Sequence, residues 1–150
     1  MLLKGTDGSE IEIHLTRYQF PEIMDEKWDA NWLMISLRVQ SPQGSWHTED
    51  PALLTWEVGD LANWFEALAN KQQEERWLVF LEPCLGFVVT KQTADTVNLQ
   101  VRLGHEFRPP WLDSWQKARV TLTLSRDALR LAAESLREEL ARFPIRSVDQ

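Results

Sequence analysis

Apolar and polar residues alternate with period two in four stretches of the chain. Ile11, Ile13 and Leu15 alternate with Glu10, Glu12, His14 and Thr16, which predicts a half-buried strand beginning after the Asp7-Gly8 turn signal. Leu33, Ile35, Leu37 and Val39 mark a second strand, from about Trp32 to Gln40. Val97, Leu99, Val101 and Leu103 mark another, and Val120, Leu122 and Leu124 the last. Pro42-Gln43-Gly44 reads as a turn into a short strand around Trp46, and Glu49-Asp50-Pro51 as a break in the pattern. A strand also follows from about Leu85 to Lys91. The run from Arg76 to Glu82 is apolar on both faces, which predicts a central strand covered on each side.

Helical spacing appears twice. Leu61, Trp64, Phe65 and Leu68 recur at i, i+3, i+4 and i+7 behind Thr55, a plausible N-cap, although Gly59 weakens the first turn. Leu129, Ala132, Ala133, Leu136, Leu140 and Phe143 form a longer stripe after Ser125, with Glu138 placed to pair with Arg142 and Pro144 ending the helix. Short strands broken by two separate helices exclude a repeating βαβ order. The expectation is α+β: one domain over residues 1–150, with a single antiparallel, mostly meander sheet, open to strong curvature, and two helices packed on it.

Composition narrows the function. With 43% hydrophobic and 26% charged residues, the chain is an ordinary globular one. The 23 acidic residues exceed the 16 basic ones, giving a net charge of −7. That argues against nucleic acid and membrane as partners and permits a basic protein. Eight Trp are more than a small core needs, so some are expected at an interface while most fill the interior. Cys84 stands alone, and the N-terminal apolar stretch is too short for a signal peptide, so the expected location is the cytoplasm.

The chemistry-bearing residues are scattered. His14, His47 and His105 lack metal-ligand spacing, and the Gly5–Gly8 turn has no phosphate-loop Lys. Cys84, between Pro83 and Leu85, reads as core more readily than as a nucleophile. No cofactor, metal or catalytic residue is expected. Two segments could carry binding: the acidic stretch with Glu22, Asp25, Glu26 and Asp29, and the Pro-rich segment 104–116 with Phe107, Trp111 and Trp115. Long connections without regular structure often carry function.

The run Trp28-Asp29-Ala30-Asn31-Trp32-Leu33, leading into an alternating strand, resembles the opening motif of the WapI-type immunity proteins, Asp-x-Asn-Trp-Leu. The resemblance extends through Leu54-Thr55 and Glu82-Pro83 to Phe143-Pro144. It implies a bacterial, non-catalytic protein that binds and neutralises a toxin domain, in the name-giving case a nuclease. Taken with the charge, it points to a basic toxin surface met by Glu22, Asp25, Glu26 and Asp29, with Glu49, Asp50, Glu57 and Asp60 adding to the field. Trp32, Trp46, Trp111 and Trp115 are the candidate anchors. Asn31 and Leu33 read as scaffold, because Asn favours turns and bonds nearby backbone. The rival expectation is a module that self-associates as a homodimer.

Overall fold

A computed structural model describes residues 1–72 and 75–146. The elements run β1 Leu2–Lys4, β2 Glu10–Tyr18, β3 Trp32–Ser41, β4 Gly44–Leu54, α1 Thr55–Ala69, β5 Trp77–Val79, β6 Leu85–Gln92, β7 Thr96–Leu103, β8 Ala118–Ser125 and α2 Arg126–Leu140. Short 3-10 turns at Asp29–Asn31 and His105–Phe107 interrupt the two irregular segments.

The fold class is α+β with two helices, but the single sheet expected from the pattern is instead two antiparallel sheets of four strands, β1-β2-β3-β4 and β5-β6-β7-β8. Alternation reveals strands without revealing which edges pair. Here α1 separates β4 from β5, and the two strands end in different sheets. The sheets approach each other along β1 and β8, where a Cβ on Gly5 would lie 3.1 Å from Leu122 Cδ2. Their inner faces and both helices share one core, which includes Ile13, Leu33, Leu37, Phe65, Phe87, Leu99, Leu122 and Leu136. The two helices pack on each other, α1 against β4 and α2 against β1, β2 and β8.

Other expectations also change. Glu49-Asp50-Pro51 lies inside β4, which is one of the two edge strands of its sheet. A register shift leaves Ala52 unopposed between the pairs Leu33–Leu53 and Met34–Pro51. An edge strand with a bulge is where a residue without an N–H is tolerated. The run from Arg76 to Glu82 is not central: β5 spans only three residues at a sheet edge, and Trp77, Val79 and Leu81 are exposed. Its doubly apolar pattern comes from an uncovered outer face. Leu54, not Thr55, precedes α1, and the Glu57 carboxylate caps the helix by accepting from Leu54 N at 3.0 Å.

Ser125 caps α2 as expected, its hydroxyl accepting from Ala128 N at 3.0 Å. Arg142 donates to Leu15 O at 3.2 Å, in place of the pair expected with Glu138. Glu139 accepts from Leu15 N, also at 3.2 Å. These two side chains satisfy the backbone of β2 where it runs past the end of β1, a way of blunting an open edge. Among the described residues, no helix is long and apolar enough to cross a membrane.

Candidate interaction surface

Between β2 and β3 the chain crosses 13 residues, 19–31, with little regular structure. The segment is nevertheless fixed, and Asn31 fixes it. Asn31 is fully buried, and its amide makes four hydrogen bonds. Nδ2 donates to Lys27 O and Arg146 O, both at 2.7 Å, while Oδ1 accepts from Thr55 Oγ1 and Arg146 N, both at 2.9 Å. Each donor and acceptor of the side chain has a partner, which the low-dielectric interior demands.

Arg146 continues the clamp. Its guanidinium donates to Pro21 O at 3.1 Å and Ile23 O at 3.0 Å, and stacks 3.5 Å from the Tyr18 ring centre. Tyr18 in turn donates to Pro144 O at 2.6 Å. Residues of the C-terminal segment thereby hold the acidic stretch against the fold.

On this clamped segment Glu22, Asp25, Glu26 and Asp29 are all exposed. None of the four enters an ion pair among the described residues. Unpaired carboxylates on a fixed backbone form a field that does not have to be reorganised before a cation arrives. Trp28, 50% exposed, packs edge-on against Trp56 at the start of α1, with ring centres 5.5 Å apart. Trp32 is half-buried on the outer side of β3, while Leu33 points to the core, the opposition expected of neighbouring strand residues.

The other expected anchors lie elsewhere. Trp46 pairs with Val39, seven residues along β3 from Trp32, or roughly 23 Å at strand rise. Trp46 is only 7% exposed, and its indole N–H donates to Phe107 O at 3.1 Å, so this ring is packing. Trp111 covers the β3–β4 turn: it meets Trp46 edge-on at 5.4 Å, and its Cη2 would lie 2.7 Å from a Cβ on Gly44. Gly44 has φ +137°, so both backbone and space call for glycine there. Within 104–116, then, Phe107 belongs to the core, Trp111 is 49% exposed and Trp115 is 78% exposed. The structure splits the eight candidates: Glu22, Asp25, Glu26, Asp29 and Trp32 lie at or before the start of β3, Trp46 and Trp111 at its far end, and Trp115 is exposed in the 104–116 connection.

Among the additional acids, Glu57 is buried and engaged, its second oxygen accepting from Leu81 N at 2.9 Å. Asp60 is exposed on α1, and Glu49 accepts from the Thr16 hydroxyl at 3.2 Å. Burial, with smaller contributions from Glu106 and Glu82, raises the Asp50 carboxyl above its usual value. The Cys84 thiol is buried and pushed up to about 12, chiefly by burial and then by Asp50 and Glu82. It is a protonated core thiol at neutral pH.

The histidines separate as well. His14 bonds Glu12 and Glu139, and His47 lies 2.9 Å from the Ser36 hydroxyl on the open outer face of β3 and β4. That Ser–His contact is exposed on a sheet surface, unlike the shielded pairs that activate a nucleophile. Trp56 carried no sequence signal as a site residue, because its meeting with Trp28 and Lys27 depends on a contact between distant segments.

A model of the immunity protein WapI-like family matches residues 1–144 of the chain. No curated protein and no solved structure matches it.

Proposed function

The chain belongs to the immunity protein WapI-like family, and from that membership we propose that it is a non-catalytic antitoxin of the bacterial cytoplasm that binds a basic toxin domain, a nuclease being the best fit, and occludes its working surface. The observation carrying this reading is the exposed acidic segment with Glu22, Asp25, Glu26 and Asp29, free of ion pairs among the described residues and fixed by Asn31 and Arg146. The net charge of −7 has the same sign. A cationic face is steered by such a field, which raises the association rate more than the final affinity. Trp32, at the start of β3, supplies aromatic contact area beside it, while Trp111, supported from behind by Trp46, and the exposed Trp115 offer further aromatic surface away from the acidic segment.

The test is protection in cells. A candidate toxin domain, sought at the C-terminus of a large secreted protein encoded beside this chain, is expressed with and without it. Rescue of growth by the wild type, weakened by the combined Asp25→Asn, Glu26→Gln and Asp29→Asn changes, is expected. Rescue untouched by those changes would remove the electrostatic part of the reading.

A second reading, self-association, draws support from Trp77, Val79 and Leu81, exposed along the edge of the second sheet. A bare apolar edge is what natural proteins usually avoid. Light scattering decides it: a dimer whose mass falls to the monomer's on Val79→Lys would favour the module over the antitoxin.

A further inference from the structure

Trp28 and Trp56 meet at 5.5 Å with their planes at 69°, and the Lys27 ammonium lies over both rings, 5.3 Å from the first centre and 5.9 Å from the second. Ring faces attract a cation within about 6 Å. Lys27 forms no ion pair among the described residues, although Asp25, Glu26 and Asp29 stand within two positions of it.

The corner is built in a particular way. Asn31 donates to the carbonyl of Lys27, the residue before Trp28, and accepts from the hydroxyl of Thr55, the residue before Trp56. A single buried amide therefore sets the position of one tryptophan relative to the other. Asp60 lies four residues after Trp56, on the same exposed side of α1. An aromatic pair with acids close by in sequence, none of them in an ion pair among the described residues, is an environment for a cation, and the free protein fills it with its own.

We propose that the Trp28–Trp56 corner is the anchor site for one lysine or arginine side chain of the protein partner, and that Lys27 is its displaceable internal occupant. This rests on the reading of the chain as a binder of a basic toxin domain, and it identifies the residue class that enters. A partner cation displacing Lys27 releases the Lys27 ammonium toward Asp25, Glu26 or Asp29. The exchange conserves charge at the rings and lets the partner's neighbouring basic groups meet the remaining acids.

The test uses tetramethylammonium chloride as probe, sodium chloride as the ionic control and tert-butanol as the uncharged isostere. Wild type, Lys27→Met and Trp56→Leu are followed by the indole N–H signals of Trp28 and Trp56 in nuclear magnetic resonance. Far-UV circular dichroism checks that each variant is folded. The expected result is a saturable shift with the cation and with neither control, at least about threefold tighter in Lys27→Met, where the competitor is gone. Trp56→Leu loses it. No cation-specific shift in folded Lys27→Met would overturn the proposal, as would a shift that persists in Trp56→Leu. The two readings fail separately. Equal affinity of the toxin domain for wild type and Trp56→Leu overturns the anchor and leaves the antitoxin reading standing. A toxin domain that never binds removes that reading, while the probe titration still decides whether the corner takes a cation.

Discussion

Replacing Asn31 by alanine removes all four hydrogen bonds at 2.7–2.9 Å and leaves a side-chain void in a site with no solvent exposure. A hydrogen bond contributes roughly 1 kcal/mol net, and a buried group left unsatisfied costs more than that. Lys27 O and the Arg146 backbone lie at partly buried positions and can recover water. The Thr55 hydroxyl is fully buried and cannot. The balance is a loss of about 3–4 kcal/mol, near 10 °C in Tm for a chain of this length.

Asn31→Asp sharpens the test, since its carboxylate still accepts from Thr55 and Arg146 N but turns oxygen toward two carbonyls. It should lose at least as much at neutral pH and recover part of the loss in acid, where a protonated carboxyl donates again. Urea unfolding followed by tryptophan fluorescence and circular dichroism measures both variants. An alanine variant within about 1 kcal/mol of wild type would refute the view of Asn31 as the keystone of the acidic segment.

The other predictions concern positions away from the site. A Cβ on Gly59 would approach no closer than 4.0 Å to Leu140 Cδ2, so Gly59→Ala should stabilise the protein by about 0.5–1 kcal/mol, read as a higher urea midpoint. With its thiol pushed up to about 12, Cys84 should react with a disulfide reagent at pH 8 far more slowly in the native protein than in urea; equal rates would contradict its burial. Burial raises the Glu139 carboxyl, but hydrogen bonds from the Met1 ammonium, His14 and Leu15 N–H outweigh it and hold the group below the usual 4.5. A lowered folded value means stabilisation present above that pH and lost as pH falls through the folded value. Glu139→Gln should accordingly flatten the acid limb of a stability–pH curve.

Much of the scaffold was legible because it is written in local period. The strands around Ile13, Leu37, Leu99 and Leu122 and the α2 stripe with its Ser125 cap follow from alternation or helical spacing within single segments. The scaffold role of Asn31 was legible in kind, since asparagine before a strand favours local bonding. Its partners were not, because Arg146 lies 115 positions away. The same limit hid the division into two sheets, since β4 and β5, on either side of α1, do not pair and the sheets approach through β1 and β8.

Apolar content alone misplaced Trp77, Val79 and Leu81 in a central strand, because a run apolar on both faces does not distinguish a buried face from an uncovered one. Glu57 looked like a surface acid, yet it bonds the backbone of both Leu54 and Leu81. Of the candidate site, the acidic segment was readable from composition. The Trp28–Trp56 corner was not, since the two rings come from separate segments and meet edge-on only in the folded chain.

Titration calorimetry of this chain against the toxin domain proposed as its partner, across a salt series, puts the electrostatic account to its hardest trial. Affinity should fall steadily as salt rises, and the slope should shrink when Asp25, Glu26 and Asp29 are neutralised together. An affinity that ignores salt, with a slope unchanged by those three substitutions, would contradict it.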